Sequence, residues 1–320
     1  MKKLKIIIYN HSCFLHWIYY DQYQIFNTYY KAIKNSKYVI SLIPFENDYL
    51  FKKWEINSIL MTNFISYEYR YVIPSDLSSE GILMLGRGDD KIKRFELGIK
   101  AMKFIIRAMP TSIMKIISNI NNLNYLKELV NKLNIGNNIE FVGYTSEPER
   151  YFKNASLHIF PTLVESFGNA LSETLIYGIP NILLGLDYVT VSKWGTVIIY
   201  DDSPITLANA VIKILKNSTY KKELGKQARK NMQKFRNNNL LERWKELIIS
   251  IYKGEDYYQL LRQNDTKISE LEYKKIIENQ LKLLKMRKKE FRDISINDIE
   301  NFTFMENLIH SKYKYKYMHK

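Results

Sequence analysis

Residues 157–184 read LHIFPTLVESFGNALSETLIYGIPNILL, in which two short apolar runs flank a loop and a helical stretch. The runs Leu157–Phe160 and Asn181–Leu184 are rich in leucine and isoleucine and do not alternate strictly with polar residues. Such runs are typical of strands that helices cover on both faces of a sheet. A helix over 169–177 connects them, so the stretch predicts one βαβ unit of a parallel sheet.

The same alternation of apolar runs and helical stretches continues on both sides of this unit. We expect further strands at Gly81–Leu85, Ser112–Ser118, Asn138–Val142 and Thr196–Tyr200. Helices are expected near 93–108, 122–134, 203–217, 219–235 and 238–252. Together these elements predict a complete doubly wound, Rossmann-like domain over 77–253.

A shorter series of the same kind precedes this domain. Strands are predicted at Leu4–Tyr9, Tyr38–Ile43 and Ser58–Met61, with helices near 20–35 and 45–54. Residues 63–80 contain a proline and paired serines and predict a linker. Three strands are fewer than the roughly five that such a sheet usually has. We therefore expect residues 1–76 to form a truncated Rossmann-like domain.

Residues 254–320 predict a basic helical extension and tail, of which Ser311–Lys320 is rich in lysine and tyrosine. Over 267–291, apolar residues recur at helical spacing among many lysines. Such a helix could bind an anionic membrane surface or pack on the body of the protein, and the sequence favours neither. Its apolar residues are Ile268, Leu271, Ile276, Ile277, Leu281, Leu284 and Met286.

Composition narrows the classes of function without choosing one. The net charge of +15 attracts nucleotides, nucleic acid and anionic membrane faces alike, but no nucleic-acid recognition motif accompanies it.

Cys13 is the single cysteine, which excludes an intrachain disulfide framework and suits a reducing compartment. No apolar run reaches about 18 residues, so no transmembrane helix is expected. We predict a cytoplasmic protein that can associate peripherally with the membrane's inner face.

The first stretch with chemical content is LGRGDDKIKRF, residues 85–95. A glycine at the end of a strand lets the backbone turn and approach a ligand closely. Arg87 leaves the carboxyl edge of the first strand of the second series, and Lys93 opens the next helix. Because ligands of open α/β sheets bind at that edge, two cations there suit a pyrophosphate. The alternative is an ordinary charged loop exposed to solvent.

The second such stretch runs from Phe160 to Glu173. A loop carrying Glu165 follows the strand, and a helix begins near Ser166–Asn169 with Gly168 allowing close backbone approach. Glu173 lies about two turns along that helix, where a carboxylate can accept hydrogen bonds from two ribose hydroxyls. In the alternative interpretation Ser166 is only an N-cap and both glutamates are surface charges.

Together the two stretches resemble the retaining, nucleotide-sugar-dependent glycosyltransferases of the GT-B fold in glycosyltransferase family 4. That family carries two glutamates in an E-S-F-G-x-x-x-x-E context, which Glu165 and Glu173 match, and a Gly-Arg followed by a basic residue, which Arg87 and Lys93 match. Phe141–Tyr144 resembles the family's turn beside the nucleobase, and the resemblance spans about 81–235.

The resemblance implies a hexosyltransferase, of class EC 2.4, that uses a nucleoside-diphosphate sugar. Arg87 and Lys93 would grip the donor pyrophosphate, Glu173 the ribose, and Glu165 would face the transferred sugar. Fixed cations and amides would stabilise the departing phosphate. No Asp-x-Asp sequence accompanies the motif, so neither a metal nor another cofactor is expected. The remaining donor-binding candidates are Tyr144, Ser166, Phe167, Gly168 and Asn169.

The amino-terminal region carries the predicted acceptor side. Family members often place a histidine after a strand near the donor sugar, which makes His11 a catalytic candidate and His16 its competitor. The acceptor is unknown, and a lipid-linked glycan in cell-surface glycan or glycolipid synthesis is one candidate. The alternative function is a non-catalytic or split-enzyme remnant that binds nucleotide-sugar and needs a partner for activity.

Overall fold

The structure is a computed structural model in which two parallel β-sheets are flanked by helices. It describes residues 6–9, 11, 23–65, 71–88, 90–235, 237–255 and 268–287. Some predicted features lie outside these residues, namely Leu4 in the first predicted strand, Cys13, His16 and the tail Ser311–Lys320. In the part that can be compared, the predicted α/β class is confirmed.

The first sheet contains three parallel strands in the order β1-β2-β3. They are β1 (Ile7–Tyr9), β2 (Tyr38–Ser41) and β3 (Ser58–Leu60). Helix α1 (Tyr23–Lys34) leads into β2, and α2 (Pro44–Trp54) connects β2 with β3. Every residue of β2 and β3 is buried, which explains why these strands lack alternating polar positions.

The second sheet has six parallel strands. They are β4 (Gly81–Leu85), β5 (Ile113–Ile117), β6 (Ile139–Phe141), β7 (Leu157–Phe160), β8 (Asn181–Leu184) and β9 (Thr196–Ile199). Their order in the sheet is β6-β5-β4-β7-β8-β9. After β6 at one edge, the chain crosses back to place β7 beside β4, so the strand order reverses between β4 and β7. A crevice at the carboxyl ends of such a pair is the usual ligand site of this architecture.

Helices cover both faces of this sheet, and one differs from the prediction. The single helix expected over 93–108 is divided at buried Arg94, which adopts the left-handed conformation with φ 61° and forms an ion pair with Asp202. The helices are α3 (Asp90–Lys93), α4 (Phe95–Ala108), α5 (Leu123–Leu133), α6 (Glu149–Phe152), α7 (Asn169–Ile176), α8 (Pro204–Lys216) and α9 (Ser218–Met232). Short 3₁₀ helices span Gly136–Asn138, Asp187–Thr190 and Gln233–Phe235.

Helix α10 (Asn237–Lys253) returns from the second region to the first sheet. Leu247 is fully buried there, and the Arg243 guanidinium donates to the Leu60 carbonyl at 2.9 Å. The predicted boundary at residue 253 groups this helix with the second domain, whereas its apolar face packs on the first. The buried residues of this cluster are Tyr38, Ile40, Ile59, Met61, Leu240, Leu247 and Ile251.

Helix α11 (Glu270–Arg287) packs on both regions. Tyr273 stacks on Phe45 of α2 with ring centroids 5.2 Å apart, and Asn279 donates to the Gly185 carbonyl after β8 at 2.7 Å. Ile276 and Ile277 are buried, so packing on the body is the alternative that the structure supports for this helix. Among the described helices, none combines the length and hydropathy needed to span a bilayer.

Candidate functional site

The two stretches singled out in the sequence meet where β4 and β7 end side by side. The Lys93 ammonium forms an ion pair with the Glu165 carboxylate at 2.7 Å, and the two side chains are 17% and 21% exposed. The ammonium also lies 5.5 Å from the centre of the Phe160 ring. Gly86 makes room for the lysine stem, because a Cβ there would lie 3.0 Å from Lys93 Cδ. The family resemblance implies that Lys93 and Glu165 contact different parts of a donor. It did not predict that the two side chains pair with each other.

The turn after β4 is fixed by backbone contact. Gly88 bridges to Ile120, and its carbonyl accepts a hydrogen bond from Asn121 at 3.0 Å. A Cβ on Gly88 would overlap the Asn119 carbonyl oxygen. The glycine is therefore needed for close approach of two backbone segments, which holds the loop that carries Arg87.

We expect Gly88→Ala to lower the free energy of unfolding by about 1–3 kcal/mol, since the added methyl must displace backbone. Thermal or urea unfolding measures the change. Gly136→Ala is the matched control, because a Cβ at Gly136 meets no atom within 4 Å. Its effect should stay within about 0.5 kcal/mol. Equal stability of the two variants would contradict the role given to Gly88.

Hydrogen bonds from the protein core hold the backbone of the loop that carries Glu165. The Tyr188 hydroxyl, fully buried, donates to the Thr162 carbonyl at 2.9 Å, and the Leu163 amide donates to the Ile92 carbonyl at 3.0 Å. The Phe167 side chain is 1% exposed and contacts the Phe235 ring edge-on. Phe167 can therefore face a ligand only with its backbone.

Helix α7 begins at Asn169, after Gly168 in the left-handed conformation with φ 77°. Its first-turn amides point toward the carboxyl edge of the sheet, where they favour an anion. Ser166 does not cap this helix, contrary to the alternative interpretation of the sequence. Its hydroxyl instead donates to the His11 carbonyl at 2.7 Å.

The residues that follow β1 and β3 therefore contact the first residue of α7 or the loop between β7 and α7, residues 161–168, which is called the motif loop. The His11 ring lies 4.1 Å from the Tyr9 ring, centre to centre, and the Asn63 amide donates to Asn169 Oδ1 at 3.1 Å. Burial raises the pKa of Tyr9 to about 12, and the charge of Glu46 adds to that rise. The structure therefore brings His11, Ser166 and Asn169 together across the two sheets.

The other predicted residues lie at varying distances from this meeting point. Arg87 leaves the same edge and is exposed, and Glu173 is half-buried along α7. Tyr144 follows β6 and is 79% exposed. In the sheet, β5 and β4 lie between β6, which precedes Tyr144, and β7, which precedes Glu165.

Two buried residues near the site carried no signal in the sequence. Asp187 lies in the 3₁₀ helix after β8 and accepts a hydrogen bond from the Tyr188 amide at 2.9 Å. Burial raises the pKa of the Asp187 carboxyl to about 7, and the negative charge of Glu165 contributes to the rise. A helix of four residues is too short to show a periodic pattern, so the sequence could not place Asp187 beneath the motif loop.

His158 on β7 supports α7 from within the core. It is fully buried, its Nδ1 lies 3.0 Å from the Thr174 hydroxyl, and it contacts the Asn181 amide oxygen. Burial lowers the pKa of His158 to about 3, and the positive charge of Lys93 contributes to the decrease. The imidazole is therefore neutral at neutral pH.

This burial predicts a pH dependence of stability. Below pH 6.5 the unfolded chain binds a proton at His158 that the folded chain excludes until about pH 3. Between these values the contribution of His158 to stability should fall as the pH falls, by up to about 1.4 kcal/mol per pH unit. The raised pKa of Asp187 acts in the opposite direction over the same range. Urea unfolding at pH 7, 6 and 5 measures the net slope of stability against pH. His158→Asn should lose less stability on acidification than the unaltered protein does, or gain more, whereas an unchanged slope would show that His158 does not contribute to it.

No group of three or more acidic, histidine or cysteine side chains within the described ranges could hold a metal ion. The expectation that the chemistry needs no metal stays a prediction.

Two parallel Rossmann-like sheets, the second with its switch point between β4 and β7, together with a helix, α10, that returns to the first sheet, define the GT-B class of fold. Residues 68–231, about half of the chain, match the family described as "Glycosyl transferases group 1". The chain belongs to this family.

Solved structures agree on the fold. HepE from Anabaena, in complex with UDP and glucose, superposes with a TM-score of 0.65 at 14% identity, covering 76% of this chain and 71% of that one. TarM superposes with a TM-score of 0.59 at 18% identity, covering 71% of this chain and 45% of that one.

A curated relative is more similar in sequence. The poly(glycerol-phosphate) alpha-glucosyltransferase of Bacillus subtilis strain 168 is 26% identical over 187 residues, which cover 57% of this chain and 26% of the relative. The chain thus spans about a quarter of the length of that relative.

Proposed function

We propose that the protein is a retaining hexosyltransferase of family 4 that takes a sugar from a nucleoside-diphosphate donor. The observation that carries the proposal is the Lys93–Glu165 ion pair at the sheet's switch point, beside exposed Arg87 and the first turn of α7. The cations and helix-terminal amides at this edge suit a diphosphate. The Glu165 carboxylate, between these groups and the first sheet, suits a sugar.

The proposed chemistry follows from this placement. As the bond between the sugar's anomeric carbon and the diphosphate breaks, negative charge develops on the departing phosphate. Arg87, Lys93 and the α7 amides stabilise that charge because they are held in place before the reaction. The acceptor hydroxyl oxygen then bonds to the anomeric carbon on the face from which the diphosphate leaves, and the hydroxyl proton passes to the departing phosphate oxygen, so the sugar retains its configuration. Lys93 exchanges its contact with Glu165 for the phosphate when the donor binds.

The acceptor and location are part of the proposal. The glucosyltransferase from Bacillus subtilis acts, by its name, on poly(glycerol phosphate), which supports a role in cell-surface glycan or glycolipid synthesis here. A net charge of +15 favours an acceptor that is anionic or lies at an anionic membrane surface, such as a lipid-linked glycan. We place the enzyme in the cytoplasm, peripheral to the inner face of the membrane.

The test is a transfer assay with UDP-, GDP- and ADP-sugars and a membrane extract as acceptor source. We expect one donor to label the extract, and NMR of the product to show the anomeric configuration of that donor. Glu165→Gln protein is the control. Donor binding without transfer would support the alternative that the protein binds nucleotide-sugar without catalysing transfer. Failure of every donor to bind would refute the proposal.

A further inference from the structure

A second cavity lies beside the loop that leads into β9, away from the candidate site. Its volume is about 480 Å³. Trp194 precedes β9, whereas Glu165 follows β7, so the cavity lies near the amino edge of the second sheet and the candidate site at its carboxyl edge. The residues that line the cavity are Trp194, Glu223, Lys226, Gln227, Lys230 and Asn231.

Trp194 presents a large aromatic ring to solvent from a loop that is held in place. The residue is 52% exposed. The neighbouring Lys193 ammonium forms an ion pair with Glu272 of α11 at 3.3 Å. The Gly195 backbone packs directly on α9, since a Cβ there would overlap Ala228. The exposed ring is therefore a preformed contact surface, which a ligand can cover without first ordering the loop.

Helix α9 supplies positive charge along the same cavity. Lys222, Lys226 and Lys230 are exposed and recur once per turn, about 6 Å apart along the helix axis. Within the described part of the chain, no carboxylate forms an ion pair with the Lys226 or Lys230 ammonium. Like charges at this spacing destabilise a helix. A row of anions lying along α9 would relieve this repulsion.

The lining suits a sugar chain that carries negative charges. A flat aromatic ring can cover the apolar face of a sugar, and the Gln227 amide can exchange hydrogen bonds with hydroxyl groups. The Lys226 and Lys230 ammonium groups suit acid groups on the same chain. A concave cavity favours a chain that can enter it over a flat membrane surface.

The position of the cavity requires a long ligand if the same molecule is to react. Strands β7, β8 and β9 each have four residues, so the two edges of the sheet lie about 13 Å apart. A single sugar bound beside Trp194 cannot reach Glu165. A polymer can occupy both places at once.

We propose that this cavity, with the lysine row of α9, binds a segment of an anionic glycan chain outside the reaction centre. The link between this chain and the acceptor rests on the proposed function, whereas the binding itself does not. A chain held at Trp194 keeps its remaining units at a high local concentration near the candidate site.

The experiment measures binding of a sulfated oligosaccharide to the full chain by calorimetry, without any nucleotide-sugar. Trp194→Ala should weaken binding about three- to tenfold, and Trp194→Phe, which keeps a ring, should weaken it less. Lys226→Ala with Lys230→Ala should weaken it about five- to thirtyfold. A neutral oligosaccharide of equal length should bind more weakly than the sulfated one, because it lacks the acid groups.

The controls are matched in residue type. Lys103→Ala with Arg107→Ala removes two exposed charges from α4, and Tyr252→Ala removes an exposed aromatic ring from α10. Both should bind the sulfated oligosaccharide as the unaltered protein does. Thermal unfolding of each variant shows that it is folded.

Several results would overturn the proposed glycan site. They are absence of binding by the unaltered protein, equal weakening in the two double variants, and unchanged binding by Trp194→Ala. Vesicles of phosphatidylglycerol are tested in parallel. If the variants lost vesicle binding alone, this surface would be a membrane contact instead.

The proposed function is tested separately from this site. UDP affinity should be the same in every one of these variants, since the cavity is remote from Arg87 and Lys93. Failure of every nucleotide-sugar to bind the unaltered protein would overturn the proposed function and leave the glycan site standing.

Discussion

Replacing Arg87 and Lys93 together with alanine is expected to weaken nucleoside-diphosphate binding by roughly 100- to 10,000-fold, since hydrogen bonds to charged groups contribute about 1.5–3 kcal/mol each. The loss of Lys93 also leaves the Glu165 carboxylate, its partner at 2.7 Å, without a counter-charge beside the phosphates. Calorimetry with UDP, the nucleotide in the HepE complex, measures the change first.

The control variant must remove two positive charges at positions away from the proposed pyrophosphate site. Lys103 and Arg107 are exposed on α4, so Lys103→Ala with Arg107→Ala lowers the net charge equally. This control should retain UDP affinity within about twofold, because exposed charges more than a Debye length from the ligand are screened. Equal weakening in both double variants would mean that the overall basic field binds the nucleotide, and the pyrophosphate site would be abandoned.

The second large effect should separate the two motif glutamates. Glu165→Gln is expected to lower the rate of sugar transfer by about 100- to 1,000-fold, because it removes a fixed charge beside the reacting sugar. Free nucleotide should bind this variant at least as tightly as before, since Lys93 is released from its ion pair. Glu173→Gln should instead weaken nucleotide binding by about 10- to 100-fold through lost bonds to the ribose.

Transfer assays and calorimetry on the same preparations test this separation. Glu128→Gln, on the exposed side of α5, serves as the control and should change neither quantity. If both motif variants lost free-nucleotide affinity equally, the assignment of Glu165 to the sugar and Glu173 to the ribose would be wrong.

The sequence located the second sheet closely. The bounds of β4, β7 and β8 agree with their predicted residues, and those of the other three strands differ by at most one residue at either end. Strands buried on both faces show as apolar runs that end at glycine, proline or charged residues, which makes their limits visible. The order of motifs along the chain, through the family that they resemble, also indicated the GT-B class.

The sequence did not reveal how the helices pack. The break at Arg94 coincides with its ion pair to Asp202, more than a hundred positions away along the chain. The amphipathic pattern of helix α10 would be the same on either sheet. Only the tertiary structure shows that the helix packs on β1–β3. For α11 the sequence predicted an apolar face. The structure shows that this helix packs between α2 and the end of β8.

The same division holds at the site. Sequence alone determined which residue types gather at the sheet's edge, because motif spacing fixes the end of a strand and the start of a helix. Tertiary structure alone joined Lys93 to Glu165, Asn63 to Asn169 and Ser166 to His11, across 72, 106 and 155 positions. Local periodicity carries no information about such distances. The Lys93–Glu165 pair depends on the pairing of β4 with β7 in one sheet, whereas the other two bonds depend on how two independently patterned sheets dock against each other.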